Sequence, residues 1–255
     1  MAIRLTFLGT GTSQGVPVIG CNCQVCSSWN LADKRLRSSL LISVDDKTFV
    51  IDAGPDFRQQ MLRCGVSNID GVIITHAHKD HIGGLDDLRA FNFLNHKPVQ
   101  VWATTDVQQI IRRDFDYAFA LVKYPGVPDL SLNTVENSPF LAAGFEFIPI
   151  DVMHHQLPVK GYRFKDIAYI TDASFINQES IDLLKGLDLL IINALRLKPH
   201  VSHFNLDQAL EVIEKVNPKQ ALLTHISHGL GLHEIVNSQL PYNVSLAFDG
   251  LTLSI

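Results

Sequence analysis

Short apolar runs recur along the whole chain with the length and β-branched content of buried strands. They are Ile3–Leu8, Ser39–Val44, Thr48–Ile51, Gly71–Thr75, Val99–Ala103, Phe145–Ile150, Ile167–Thr171, Leu187–Ile192, Gln220–Thr224 and Ser245–Phe248. Between many of them the apolar positions switch to helical spacing, most clearly over Asp106–Phe119, Asn177–Leu184, Asn205–Val216 and His233–Leu240. Asn205 and Asp106 are N-cap candidates, because a short polar side chain can accept from the free backbone N–H groups of a first helical turn. Strands alternating with helices predict a layered α/β protein. The early strands lack long helices between them, so some pairing should be antiparallel. Lys123–Pro139, with three prolines and several polar residues, reads as a long loop or irregular hairpin. No composition shift marks a boundary, and a single domain over 1–255 is expected.

Composition narrows the class. Of 255 residues, 46% are hydrophobic and 18% charged, within the ordinary globular range. No apolar run reaches the roughly 18 residues of a membrane span. The N-terminus runs directly into a strand-like segment without the features of a signal peptide, so a cytoplasmic location is the default expectation. Net charge is −5 with no Lys/Arg-rich run, which argues against an extended nucleic-acid surface. A small phosphorylated substrate stays compatible with that charge, because bound metal ions can supply local positive potential.

The chemistry concentrates in His76-Ala77-His78-Lys79-Asp80-His81. The chain holds 11 histidines, and three of them fall within these six positions beside a carboxylate. Gly83-Gly84 follows and gives the backbone freedom to turn close to an ion. Lys79 is expected to be a solvated bystander. Four such side chains cannot all reach one ion from a regular element, but in a tight loop they can serve two ions side by side. Further candidate ligands stand just beyond strand ends: Asp52, His154, Asp172 and His225. Loops beyond strand ends are where α/β proteins build their sites. The neighbours His154 and His155 compete for one ligand position. Cys21, Cys23 and Cys26 form a Cys-x-Cys-x-x-Cys cluster, which in a chain without an export signal reads as a metal site rather than a disulfide framework. Cys64 reads as a buried, inert thiol.

His-x-His-x-Asp-His-x-Gly-Gly after a strand ending in Thr75 resembles the signature of the metallo-β-lactamase superfamily. Asp52 in Phe49–Gly54, Asp172 in Tyr169–Ala173 and His225 in Leu223–His225 match further elements in order, so the resemblance covers nearly the whole chain. Leu8–Pro17 followed by Gly20–Cys26, and Thr224–His228 near the end, are similar to the PhnP-like cyclic phosphodiesterase branch. The resemblance implies an αββα sandwich, two mixed β-sheets packed face to face with helices outside. It implies one ion held by His76, His78 and His154, a second by Asp80, His81 and His225, and Asp172 bridging both. Asp52 would brace the metal loop. Imidazole and carboxylate ligands suit zinc or manganese.

The activity implied is hydrolysis of a small cyclic phosphodiester, of the phosphoribosyl 1,2-cyclic phosphate or 2′,3′-cyclic nucleotide type. A metal-bridging hydroxide would attack phosphorus, with Asp80 part of the catalytic centre. His203 is the candidate proton donor to the leaving oxygen, with His200 as the alternative. Cys21, Cys23, Cys26 and His228 make a closed four-ligand set for one structural zinc, in an N-terminal loop spanning about 9–28. Other hydrolases of the fold, such as a tRNA 3′-processing nuclease, and a pyrroloquinoline-quinone-biosynthesis-like protein are the competing readings. A non-enzymatic metal-binding protein is a further one. A homodimer is compatible with the resemblance, and no motif specifies one.

Overall fold

In the computed structural model, which describes residues 2–255, two seven-stranded sheets stack face to face. The first sheet contains β1 (Ile3–Gly9), β2 (Ser39–Val44), β3 (Lys47–Ile51), β4 (Gly71–Ile73), β5 (Val99–Ala103) and β6 (Leu130–Thr134). The second contains β7 (Phe140–Ala142), β8 (Phe145–His154), β9 (Leu157–Phe164), β10 (Ile167–Ile170), β11 (Leu189–Asn193), β12 (Gln220–Thr224) and β13 (Val244–Leu246). β14 (Thr252–Ser254) returns to the edge of the first sheet beside β1. Each sheet is mixed in the same way. β1–β2–β3 and β7–β8–β9–β10 are antiparallel, whereas β3–β4–β5–β6 and β10–β11–β12–β13 are parallel. This is the sandwich that the resemblance implies.

The parallel strands are continuous apolar runs because both their faces are covered. In β11, Leu189 and Ile191 point into the core between the sheets, while Leu190 and Ile192 point into the helix layer outside. β3 divides likewise, with Phe49 and Ile51 facing the inter-sheet core and Val50 the other helix layer. The outer layer of the first sheet holds α1 (Phe57–Cys64), α2 (Lys79–Ile82), α3 (Arg89–Asn95) and α4 (Thr105–Asp114). The second sheet is covered by α5 (Gln178–Leu183), α6 (Leu206–Val216) and α7 (His233–Asn237). Among the described residues no helix is long and apolar enough to cross a membrane.

Asn205 caps α6 as expected, through a reciprocal pair with Gln208. Asn177 also caps α5, accepting from the Ser180 N–H at 2.8 Å. Asp106 is a correction. α4 begins one residue earlier, with Thr104 at the cap position, and ends at Asp114, with Asp116–Ala118 forming a separate 3-10 turn. Lys123–Pro139 is not all loop, since β6 lies inside it and pairs parallel with β5. The last strand of the second sheet is Val244–Leu246 rather than Ser245–Phe248, and α7 stops at Asn237. β9 carries Pro158 and Gly161, which obscure its pattern in sequence. A Cβ at Gly161 would stand 2.2 Å from Ile170 Cδ1 and 3.0 Å from the Tyr169 carbonyl oxygen, so any larger residue there would require the buried Ile170 side chain to move. Cys64 is only half-buried, packed against the core beneath α1.

Candidate metal centre and active site

One end of the sandwich gathers the strand ends. Asp52 follows β3, Asp172 lies just beyond β10, and His225 follows β12. All three adopt left-handed backbone conformations, with φ of 64°, 57° and 54°. For non-glycine residues this is a strained region, held only where the surroundings enforce it. His76 and His78 lie between β4 and α2, α2 carries Asp80 and His81, and His154 ends β8.

Asp52 organises the loop. It is fully buried, and its Oδ1 accepts from the Thr75 N–H at 2.9 Å. Its Oδ2 accepts from Thr75 Oγ1 at 2.8 Å and faces His81 Nδ1 at 2.7 Å. Burial raises the Asp52 pKa, against the opposing pull of His81 and Thr75. With Nδ1–H donated to Asp52, His81 directs Nε2 inward. That atom lies 3.1 Å from Asp80 Oδ2 and 3.2 Å from Asp172 Oδ2, yet it has no hydrogen-bond partner. Burial opposes a charge on His81, but the carboxylates of Asp172, Asp52 and Asp80 outweigh it and raise its pKa.

The other imidazoles are oriented in the same manner. Thr75 Oγ1 gives its proton to Asp52, so at 3.0 Å it accepts from His76 Nδ1, which turns His76 Nε2 toward the cluster, buried and unpartnered. His154 Nδ1 donates to the Ser202 carbonyl at 2.6 Å and leaves Nε2 free. The His78 and His154 rings are 5.1 Å apart, and His76 and His78 are 4.6 Å apart. His155 turns away. It is exposed, with its backbone N–H donated to Ser174 Oγ at 2.9 Å.

Potential donor atoms converge in two sets that share Asp172. Those of Asp80, His81, Asp172 and His225 lie within 4.8 Å of one another, as do those of His154, Asp172 and His203. The first is the set expected for one ion. The second differs from expectation, because His203 takes the place next to His154 and Asp172, and His76 and His78 border it through ring contacts. His203 is packed between His154 at 4.5 Å and His225 at 4.9 Å, with Nδ1 3.7 Å from Asp172 Oδ1 and unpartnered. Burial, then the facing His225, lowers its pKa to about 3. His200 stands behind it at 5.2 Å and is occupied with the Ser202 N–H at 3.3 Å.

Burial lowers the pKa values of His76 and His225. Asp80 and Asp172 resist the upward push of burial and are lowered by the histidines around them. Neutral imidazoles and ionised carboxylates are the forms that ligate cations. A cation placed among the orphaned Nε2 atoms and the two carboxylates would satisfy groups the protein alone leaves unpaired. The donor set therefore fits divalent ions.

The second cluster is separate. Cys21, Cys23 and Cys26 Sγ lie 3.3, 3.4 and 3.4 Å from His228 Nδ1. A tetrahedral zinc with bonds of about 2.3 Å to sulfur and 2.0–2.1 Å to nitrogen has ligand edges of roughly 3.5 Å. The four residues therefore fit such an ion without rearrangement. Backbone N–H groups of Val18 and Cys26 approach Cys26 Sγ and Cys23 Sγ at 3.4 Å each, as thiolates would favour.

Sequence reasoning missed the orienting groups Thr75 and Ser202, and it missed the cleft beside His76 and His78. That cleft has a volume of 740 Å³ and is walled by α4 and β9. Apart from Thr75–Lys79 of the histidine motif, its lining residues come together through long-range pairing and belong to no local motif.

A family model described as a beta-lactamase superfamily domain matches residues 47–226. The crystal structure of a diphosphatase from the PhnP family is similar over 100% of this chain and 98% of that one, with 41% identity and a TM-score of 0.94. Zn(2+)-bound PqqB from Methylobacterium extorquens shares the fold at 18% identity, with a TM-score of 0.78 over 98% of this chain and 99% of that one. An octanoyltransferase of Porphyromonas gingivalis is 42% identical over 252 residues, which are 98% of this chain and 51% of that protein. The chain thus spans about half the length of that relative. On the matched domain and the full-length likeness to the diphosphatase, this chain belongs to the beta-lactamase superfamily and, within it, to the PhnP family.

Proposed function

We propose that this protein is a metal-dependent phosphodiesterase that hydrolyses a small cyclic phosphodiester of the phosphoribosyl 1,2-cyclic phosphate or 2′,3′-cyclic nucleotide type. The observation that carries this reading is His81. With Nδ1 held by Asp52, its Nε2 faces Asp80 and Asp172 at 3.1 and 3.2 Å. Without metal these carboxylates raise the His81 pKa and favour a second proton on the ring, and a divalent cation would take that proton's place among the three side chains. In this reading His76, His78 and His154 hold one divalent ion, Asp80, His81 and His225 hold the other, and Asp172 serves both. Manganese and zinc both suit these donors. Bound there, two such ions would lower the pKa of water toward neutrality and offset charge on the phosphate oxygens.

The protein's own contribution is orientation and proton handling. Asp52 and Thr75 fix the ring tautomers of His81 and His76, and the Ser202 carbonyl fixes that of His154. His203 is neutral when only these groups surround it. An arriving phosphate anion would raise its pKa and let it pass a proton to the departing oxygen. His200 remains the alternative donor, one ring further out. The cysteine cluster with His228 would hold a structural zinc that ties the N-terminal loop to the segment after β12, beside His225.

The likeness to a diphosphatase favours a second reading, hydrolysis of a phosphorus–oxygen–phosphorus bond by the same ions. The octanoyltransferase name describes a protein of which about half lies outside the match. The deciding experiment presents metal-loaded protein with 2′,3′-cyclic nucleotides, linear diesters, diphosphates, RNA and thioesters. Preferential turnover of cyclic diesters supports the proposal. Preference for diphosphates selects the second reading, and preference for thioesters overturns both.

A further inference from the structure

We infer that Lys160 and Asp151 form a specificity element that receives a hydroxyl group of the substrate's organic half, in preference to a second phosphoryl group. The inference rests on the phosphoryl-transfer reading above. The two residues are cross-strand partners on β8 and β9, and Asp151 lies three positions before His154 on the same strand. Both line the 740 Å³ cleft that begins at His76 and His78, a space larger than one phosphate group requires.

Lys160 is 8% exposed, unusual for an ammonium. Its Nζ donates to Asn137 Oδ1 at 2.6 Å and to Asp151 Oδ1. An ammonium carries three N–H groups, so one is left. The Asp151 side chain is 53% exposed and has a second acceptor oxygen. A donor and an acceptor side by side match a hydroxyl, which both gives and takes a hydrogen bond. A phosphoryl group would instead have to displace Asp151.

Charge points the same way. The cleft lining carries Lys79, Arg113 and Lys160 against Asp106, Asp114 and Asp151, so its formal charge cancels. Lys79 and Arg113 are already paired with Asp114 at 2.5 and 2.9 Å. Among the described residues no Phe, Tyr or Trp lines the cleft, so it lacks the large aromatic faces on which a nucleobase stacks best. Val107, Val135 and Leu157 supply apolar walls for the carbon skeleton that carries the hydroxyls.

Calorimetric titration of the metal-loaded protein with inorganic phosphate, D-ribose 5-phosphate and pyrophosphate tests this. Ribose 5-phosphate should bind about tenfold more tightly than phosphate, the worth of one charge-assisted hydrogen bond. Lys160→Met should erase that ratio, and Lys160→Arg should restore part of it. Pyrophosphate should show no larger loss in Lys160→Met than phosphate does. If Lys160→Met fails to fold, Asp151→Asn, at an exposed side chain, should reduce the same ratio. A ratio untouched by either variant, or a greater loss for pyrophosphate than for ribose 5-phosphate, overturns the inference. Phosphate that binds without any ribose increment overturns it while leaving the proposed function standing. Failure of phosphate itself to bind overturns both.

Discussion

Asp52→Ala is the perturbation that reaches furthest into the metal loop without replacing a proposed ligand. The wild-type carboxylate has no exposed surface and accepts from three donors, the Thr75 N–H, Thr75 Oγ1 and His81 Nδ1, at 2.9, 2.8 and 2.7 Å. Alanine leaves all three donors buried without an acceptor. Hydrogen bonds to a charged acceptor contribute about 1.5–3 kcal/mol each, but removing the carboxylate also relieves its own desolvation. The net loss should be roughly 3–5 kcal/mol, the usual cost of deleting one partner of a buried polar pair. In a chain of this size that corresponds to a fall of about 10 °C in Tm. Asp52→Asn, which keeps the volume and one acceptor oxygen, should lose roughly half as much. The freed His81 ring should also cost about 10–100-fold in metal affinity at the Asp80–His81–His225 set. Urea denaturation of chelator-treated protein gives the first quantity, and competition with a chromophoric chelator gives the second. Asp52→Ala protein within about 0.5 kcal/mol of wild type, the range of an ordinary surface substitution, would refute the bracing role. Unchanged metal affinity would refute the orienting one.

Other outcomes follow from the same geometry. His203→Ala should keep its metal content and lose about 10²–10⁴-fold in kcat, the range of a general acid; unchanged turnover would remove His203 from proton transfer. Cys23→Ser should contain one zinc fewer per chain after mild chelation, by elemental analysis. Wild-type protein that retains no zinc under those conditions would sink the structural site. His203 also sets a pH dependence in metal-free protein. Its folded pKa of about 3 lies below the ordinary 6.5, so between those values the unfolded chain binds the extra proton. The stability from His203 is complete above 6.5 and declines as pH falls toward 3, and His203→Gln should flatten that slope. Equal slopes for the two proteins would show that His203 titrates normally.

Much of the site was legible because its signals are local. His76 to His81 are contiguous in sequence, across the loop after β4 and the first turn of α2, so local composition exposes them. The cysteine cluster is equally compact. Asp52, Asp172 and His225 could be found because each directly follows an apolar run, and the parallel strands keep those runs unbroken by burying both faces. β9 was hidden by Pro158 and Gly161, and α1 by a sequence, Phe57–Cys64, that buries only Phe57, Gln60 and Met61. β6 sits at a sheet edge with mostly half-buried side chains, so it lacks the apolar signal of its neighbours. The approach of His203 to Asp172 and the pairing of Lys160 with Asp151 are set by sheet register and by the path of the loop before α6. No spacing rule within one segment encodes them. Two adjacent histidines could not be separated by spacing, and the structure separates them by where the β8–β9 turn points each ring.

The central claim is that phosphoester hydrolysis here depends on two ions held by one shared cluster. Its most direct test is a titration with Mn²⁺ of protein depleted of active-site metal under mild chelation, which should spare a zinc held by Cys21, Cys23, Cys26 and His228, following hydrolysis of bis(p-nitrophenyl) phosphate. Activity should rise from near zero and saturate at two equivalents per chain. Saturation at one equivalent, or no turnover by fully loaded protein, would contradict the account.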